Sequence, residues 1–331
     1  MESLLNTILG PIVVQVGITV LVMLPLAYWL WRLHQERKKQ LEGREEPFTG
    51  YPIRPPGETL RLEIAAMEEE RSDLVYELLL FPLAMGLLVA NAPQMRNTVG
   101  VIVAFLIVAG ITFWRGPKLV RLYSRLRDFN LGYLGERVVG EELNQLMLDG
   151  FRVFHDVPFD GFNIDHVIVG KQGVFAVETK TRRKPRDDDG TKRYSVTYDG
   201  RSLRWPMGED QFGLQQTQDN ARTLAAFLTS ATGERTEVAG MLVVPGWWVE
   251  RTGRGPVNVL NEKEVKHSFS RQRQLDDEQI QRIVHQLTEK CRIEGEKANE
   301  AAKDSKRDRR SRRTRLRSRV RTARKTTSPR T

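Results

Sequence analysis

Residues 163–180 read NIDHVIVGKQGVFAVETK, two apolar runs that flank the four residues GKQG. Runs of β-branched and aromatic residues on either side of a short, glycine-bounded segment are typical of a β-hairpin. If the turn is symmetric, Val169 pairs with Val174. Counting back along both strands from this pair places Asp165 opposite Glu178, so the hairpin is expected to bring two carboxylates together.

The two carboxylates are candidate functional groups. The positions around them are apolar on both faces, which predicts an interior hairpin. Directly opposed residues have Cβ atoms roughly 5 Å apart, and like charges there repel. A shared cation would remove the repulsion, and Lys180 lies on the same face as Glu178 because side chains alternate along a strand. Asp165, Glu178 and Lys180 are therefore typical of a metal-dependent nuclease; a surface Glu–Lys pair without function is the alternative.

Composition restricts the metals that the chain can bind. Its single cysteine, Cys291, excludes an intramolecular disulfide and a Cys-rich zinc site. The five histidines lack the spacing of a zinc motif. Any metal is therefore expected to be a hard cation with oxygen ligands.

The basic charge of the chain is concentrated in its C-terminal tail. The net charge is +10, but residues 303–331 carry 14 Lys and Arg against two Asp, so the remainder is slightly acidic. The tail has almost no large apolar residue, which predicts disorder. It should attract phosphate groups of DNA or RNA without sequence preference, and anionic lipid is the competing partner. The candidate nucleic-acid ligands are Arg309, Arg310, Arg312, Arg313, Arg315 and Arg317.

Three apolar segments predict an integral membrane protein. Pro11–Trp31 has 21 uncharged residues, enough to cross a hydrocarbon core of about 30 Å. The segments 78–92 and 97–114 form a predicted hairpin, in which 78–92 is short and contains Pro82. Basic residues follow the first span and the hairpin. This bias predicts an N-terminus outside the cell membrane and a cytoplasmic C-terminal domain.

From Leu131 onward the pattern is that of an α/β domain. We predict a helix over 135–148, a strand over 151–157, the hairpin, a second hairpin around Asp199-Gly200, a helix over 211–228, strands over 238–244 and 257–260, and an amphipathic helix over 275–291.

This order and its motifs resemble the nuclease-related domain (NERD) family. The resemblance covers about 131–260 and rests on Gly135-Glu136, Asp165-His166, the run Val174–Lys180, Asp199-Gly200 before Trp205, and Gln216 with Asn220-Ala221. It implies a restriction-endonuclease-like PD-(D/E)xK fold, a mixed sheet flanked by helices, and a nuclease that depends on Mg²⁺ or Mn²⁺. Many nucleases of this fold act as homodimers.

Chemistry suggests a role for each candidate. Asp165 and Glu178 would ligate the metal, which lowers the pKa of a bound water, and Lys180 would position that water or the phosphate. Glu136 is either a further metal ligand or a favourable charge at a helix N-terminus. Gln216 would orient a water by analogy with the family, or is a partly buried glutamine. His166 points away from Asp165 and is expected to be a core histidine.

The resulting division of the chain has seven parts: a transmembrane helix (1–33), a cytoplasmic loop (34–76), a transmembrane hairpin (77–115), a basic linker (116–130), the nuclease-related domain (131–265), an amphipathic helix (266–292) and a disordered basic tail (293–331). The predicted function is a membrane-anchored nuclease. The alternative is a catalytically silent, membrane-tethered module that binds nucleic acid or protein through the same fold.

Overall fold

The structure is a computed structural model that describes residues 28–29, 31–32, 35–36, 54–92, 97–185, 194–269 and 274–292. Most of the predicted first span and the whole basic tail with its arginines lie outside the described residues. The chain forms two compact units. The first comprises Met1–Thr49 and Ala65–Leu126, and the second Gly50–Ile64 and Arg127–Thr331.

Two long helices contain the apolar segments of the predicted hairpin. They are α1 (Glu58–Asn91) and α2 (Thr98–Gln145), and each is long and apolar enough to cross a membrane. Both extend well beyond the apolar segments. The basic segment 116–130 is part of α2, and the helix expected to begin at residue 135 begins instead at Thr98. The predicted loop 34–76 is helical from Glu58 onward. Pro82 lies inside α1 and Pro117 inside α2.

Within the first unit, two ion pairs join α1 to α2. Glu77 pairs with Arg115 at 3.1 Å, and Glu70 pairs with Lys118 at 2.7 Å. Glu77 directly precedes the apolar segment of α1, and Arg115 directly follows that of α2. The helices therefore run antiparallel with their apolar segments at the same level, and large apolar side chains on both are exposed.

The second unit is built on a five-stranded mixed sheet with the order β1-β2-β3-β7-β9. Its strands are β1 (Arg152–Phe159), β2 (Phe162–Gly170), β3 (Gly173–Thr179), β7 (Val238–Val243) and β9 (Val257–Leu260). The first three strands are antiparallel, and β7 and β9 are parallel additions beside β3.

The hairpin has the predicted register. Val169 pairs with Val174 and Gly170 with Gly173, which leaves Lys171 and Gln172 as a two-residue turn. Gly173 has φ of 125°, a conformation that favours glycine. The glycine-bounded turn thus sets the register from which the position of the two carboxylates follows.

Helices cover both faces of this sheet. Val139 and Leu143 of α2 pack on one face against side chains that include Val177. The other face is covered by α3 (Phe212–Thr232) and by α4, helical over 277–292. There Leu224 and Leu287 belong to the same core as the strand residues. This burial of both faces explains why the hairpin is apolar at nearly every position.

A second, four-stranded sheet lies beside the first, and the sequence predicts only its central hairpin. Its order is β6-β5-β4-β8, with β4 (Ser195–Tyr198), β5 (Leu203–Trp205), β6 (Gly208–Asp210) and β8 (Trp248–Arg251). Trp205 and Trp247 meet edge to face in its core, with ring centroids 4.9 Å apart. Trp247 is thus a packing residue, whereas Trp248 is exposed.

Candidate active site

Asp165 lies where the hairpin register predicts. The β2–β3 ladder extends to the pair His166–Val177, so the next positions, Asp165 and Glu178, face each other. The backbone N–H of Thr179 donates a hydrogen bond of 2.7 Å to Oδ2 of Asp165. This bond holds one carboxylate oxygen and leaves the other available to a ligand.

Glu178 is buried in the centre of the main sheet, between β2 and β7. Its Oε2 accepts a hydrogen bond of 2.8 Å from Nδ2 of Asn220, a buried residue of α3. The sequence pattern pointed to Gln216 as the residue of this helix that acts at the site, and it did not indicate that Asn220 holds Glu178. Gln216 is half-buried and lies one turn before Asn220. Residues four positions apart share a helix face, and this spacing could have identified Asn220 from the sequence.

Glu136 is brought to the same carboxylates. It is 9% exposed, and its pKa is raised to about 9 by burial and then by the charges of Asp165 and Asp156. It cannot be a favourable charge at a helix N-terminus, because it lies deep inside α2, which begins at Thr98. That interpretation is wrong because the helix is continuous with the apolar segment before it.

The electrostatics of these carboxylates are unfavourable without a cation. Burial raises the pKa of Asp165 to about 7, with a further increase from Asp156. Burial and the charge of Asp165 raise the pKa of Glu178 well above its ordinary value. The positive charge of Lys180 lowers both pKa values and only partly offsets the increase. A group of buried acids with mutually raised pKa values is typical of functional sites.

Lys180 is held at the edge of this group. Its backbone N–H donates to the carbonyl of Val243 at 2.9 Å, which continues the parallel pairing of β3 and β7 by one residue. Its Nζ lies 4.9 Å from the ring centroid of Phe212, the first residue of α3. The side chain is therefore half-buried, positioned by an aromatic ring, and close enough to act on the charges of Asp165 and Glu178.

Asp156 is an acidic residue of this neighbourhood that the sequence did not indicate. It is buried and adopts φ of 51°, uncommon for a residue other than glycine. Oδ2 accepts bonds of 3.0 Å from both the backbone N–H and the hydroxyl of Thr59, and it pairs with Arg54 at 2.5 Å. Oδ1 accepts a bond of 3.0 Å from Nδ2 of Asn163. The segment before α1 thus belongs structurally to the α/β domain.

Residues 131–245 match the family model of the nuclease-related domain, NERD. The matched range begins within α2 and ends just after β7, so it contains all five predicted catalytic residues. The match covers less than half of the chain. Searches of curated proteins and of solved structures found no match.

Close packing explains why position 135 of the NERD domain is a glycine. A Cβ built on Gly135 would overlap the hydroxyl of Thr181, which follows Lys180 in the chain. Glycine therefore lets α2 approach the end of β3 closely. This approach brings the next residue, Glu136, to the site.

A chain of hydrogen-bonded side chains runs through two buried histidines, and it confirms His166 as a core histidine. The Nδ1 atoms of His166 and His155 form a hydrogen bond of 2.9 Å. At one end of the chain, His155 Nε2 lies 2.9 Å from Asn144 Oδ1. At the other end, His166 Nε2 lies 3.3 Å from the Thr179 hydroxyl. Because Asn144 Oδ1 only accepts, His155 carries its proton on Nε2 and His166 on Nδ1. Burial lowers the pKa of both histidines, consistent with neutral rings.

The donor set of the NERD site fits a hard divalent cation, because carboxylate oxygens are the ligands that Mg²⁺ prefers. Within the described ranges, no three Asp, Glu, His or Cys side chains are close enough together to hold a metal by themselves. The Thr179 carbonyl and water would complete the shell around Asp165 and Glu178. A role of Glu136 as third ligand stays a prediction.

Proposed function

We propose that this protein is a Mg²⁺- or Mn²⁺-dependent nuclease of the PD-(D/E)xK type, anchored in the cell membrane with its NERD domain in the cytoplasm. The observation that carries the proposal is the pair of facing carboxylates, Asp165 and Glu178, with Lys180 directly after the end of β3. A module that only binds nucleic acid has no need of two facing carboxylates that repel each other.

Each residue around the proposed metal site has a separate role. The metal, when bound by Asp165 and Glu178, lowers the pKa of a ligated water and neutralises charge on the scissile phosphate. The Thr179 N–H and the Asn220 amide orient the two carboxylates. Lys180 holds a proton-bearing Nζ beside them and is positioned to orient the attacking water or a phosphate oxygen. DNA and RNA both carry the bond that this arrangement would hydrolyse.

The connectivity of the chain supports the membrane hairpin. The start of α1, up to Ile64, and the end of α2, from Arg127, belong to the same compact unit. The intervening chain therefore leaves that unit and returns to it, so if one helix crosses the membrane the other must cross back. This favours 78–92 as a genuine span. The basic tail, with anionic lipid or nucleic acid as partner, and a homodimer remain predictions.

Cleavage and metal binding by the full chain in detergent test the proposal. We expect the wild type to cleave end-labelled DNA or RNA in the presence of Mg²⁺ and to bind Mn²⁺ in calorimetric titrations. The variants Asp165→Asn and Glu178→Gln should each lose both cleavage and metal binding. Asp160→Asn is the matched control, since Asp160 is exposed at the β1–β2 turn. Metal binding without cleavage of either polymer would favour the silent module, and absence of both from the folded protein would refute the metal site.

A further inference from the structure

The segment that leaves the active site carries three cations, each placed over an aromatic ring. Lys180 Nζ is 4.9 Å from the centroid of Phe212, Arg182 Cζ is 5.0 Å from that of Trp205, and Lys184 Nζ is 4.1 Å from that of Tyr194. The three cations occupy alternate positions, 180, 182 and 184, of the segment that directly follows β3. We call these three pairs the cation–aromatic ladder.

The ladder is rigidly held. The Arg182 guanidinium forms an ion pair with Asp210, whose other oxygen accepts a bond of 2.8 Å from the Phe212 N–H. The Arg182 carbonyl accepts a bond of 3.2 Å from Nε1 of Trp247. The middle pair is therefore anchored through both its side chain and its backbone, and Asp210 also holds the start of α3, where Phe212 lies. A surface held in place in this way loses little conformational entropy when it binds a ligand.

The outer pairs face solvent. Phe212 is 64% exposed although it begins a helix, and Tyr194 is 38% exposed, whereas Trp205 of the middle pair is buried. Lys184 is exposed as well. An exposed ring beside a cation offers a stacking surface for a base next to a charge for its phosphate. This combination is characteristic of proteins that bind single-stranded nucleic acids.

We propose that the cation–aromatic ladder is a binding track for single-stranded DNA or RNA that leads into the active site at Lys180. This proposal rests on the proposed nuclease function and specifies its substrate. Bases of a duplex are stacked on each other and present no free face to Phe212 or Tyr194. Because Lys180 belongs both to the ladder and to the catalytic group, a strand on the track has a phosphate beside the carboxylates.

Photocrosslinking in EDTA tests the track without cleavage. Single strands of DNA and RNA that contain 5-iodouracil are irradiated with the full chain, and the crosslinked residues are mapped by mass spectrometry. We expect crosslinks at Phe212 and Tyr194 with both polymers. Crosslinks confined to the basic tail would overturn the proposal. Cleavage by the wild type is measured separately. Crosslinks without cleavage would support the binding track and refute the nuclease function. Cleavage without these crosslinks would support the nuclease function and refute the track.

Affinity measurements supply the matched comparison. Phe212→Leu and Tyr194→Leu keep apolar bulk and remove the ring, and each should weaken single-strand binding about fivefold or more, with duplex binding unchanged. Trp248→Leu is the control: Trp248 is also 64% exposed, but it pairs with Ser195 on the outward face of the second sheet. Equal losses in all three variants, or losses seen only with anionic lipid vesicles, would overturn the track and would indicate a general or a membrane-contacting surface.

Discussion

Thr59 donates two hydrogen bonds to a single oxygen of Asp156, one from its backbone N–H and one from its hydroxyl, both at 3.0 Å. The two residues are 97 positions apart in the chain. Thr59 lies in the first turn of α1, and Asp156 lies on β1, next to the strand β2 that carries Asp165. The start of the first apolar helix is thereby attached to the acidic neighbourhood of the candidate active site. A fragment that begins at the matched domain boundary lacks this attachment.

Thr59→Val should therefore destabilise the α/β domain. The substitution preserves shape but removes a hydroxyl bond to a buried carboxylate, which costs about 1–3 kcal/mol. Thermal unfolding of the full chain in detergent measures the effect. Thr288→Val is the control, since that hydroxyl bonds only the Val284 carbonyl of its own exposed helix turn. Equal effects of the two variants would contradict the role of Thr59.

Gly135→Ala should destabilise the protein by about 1–3 kcal/mol, because the new methyl group overlaps the Thr181 hydroxyl in a packed interior. Gly132→Ala on the same helix meets only the flexible end of Leu60, at 3.3 Å, and should be neutral or slightly stabilising. Adding Thr181→Ala to Gly135→Ala should restore part of the loss. Strictly additive effects in this double-mutant cycle would show that the two positions do not interact.

The metal-free protein should lose stability as the pH rises. The pKa of Asp165 is raised to about 7 and that of Glu136 to about 9 in the folded state. At pH values between the ordinary carboxyl pKa and these raised values, the folded protein holds protons that the unfolded chain has released. The free energy of unfolding therefore falls with increasing pH. We expect the melting temperature in EDTA to decrease from pH 7 to pH 9, and Glu136→Gln to reduce that decrease. Below this range the lowered pKa values of His155 and His166 act in the opposite direction.

Added Mg²⁺ should reverse this trend, since the metal competes with protons for Asp165 and Glu178. The increase in melting temperature on addition of Mg²⁺ should be larger at pH 8 than at pH 5.5 and absent in Asp165→Asn. An increase that is independent of pH would place the bound metal elsewhere.

Asn220→Ala should weaken metal binding and cleavage about 10- to 100-fold, the usual effect of removing a residue that orients a ligating carboxylate. Asn220 donates the bond to Glu178 that holds this side chain in place. Calorimetric titration with Mn²⁺ and the Mg²⁺ dependence of cleavage measure the two effects. Gln215→Ala, an exposed neighbour on α3, should leave both unchanged. A loss of cleavage with unchanged metal affinity would assign Asn220 a different role.

Cysteine labelling tests the membrane hairpin. A cysteine at Asn97, the residue directly before α2, should react with an impermeant maleimide on intact cells. A cysteine at Leu148, a highly exposed residue after α2, should react only after permeabilisation. Native Cys291 can stay, because it is buried and its thiol pKa is raised to about 11, which leaves little reactive thiolate. Labelling of both positions on the same side would exclude the hairpin.

The differences between the predicted and observed helices have a common cause. The sequence pattern divides 97–148 into an apolar segment, a basic linker and an amphipathic helix, because each part has its own composition. The structure joins them in one helix, α2, since a change of environment along a helix need not interrupt its backbone hydrogen bonds. Composition therefore separated the apolar segment from the domain, but it did not indicate the continuity between them.

The sequence alone determined the arrangement of the central hairpin. Gly170 and Gly173 define the turn, the alternation of side chains then places Asp165 opposite Glu178, and Lys180 follows on the same face. These relationships are local and periodic, so they can be read by counting. Tertiary structure alone decided that Asn220 orients Glu178, that Glu136 faces the carboxylates, and that Arg54 and Thr59 enclose Asp156. Those contacts join residues far apart in the chain, and they depend on how helices pack on the sheet, which no local pattern encodes.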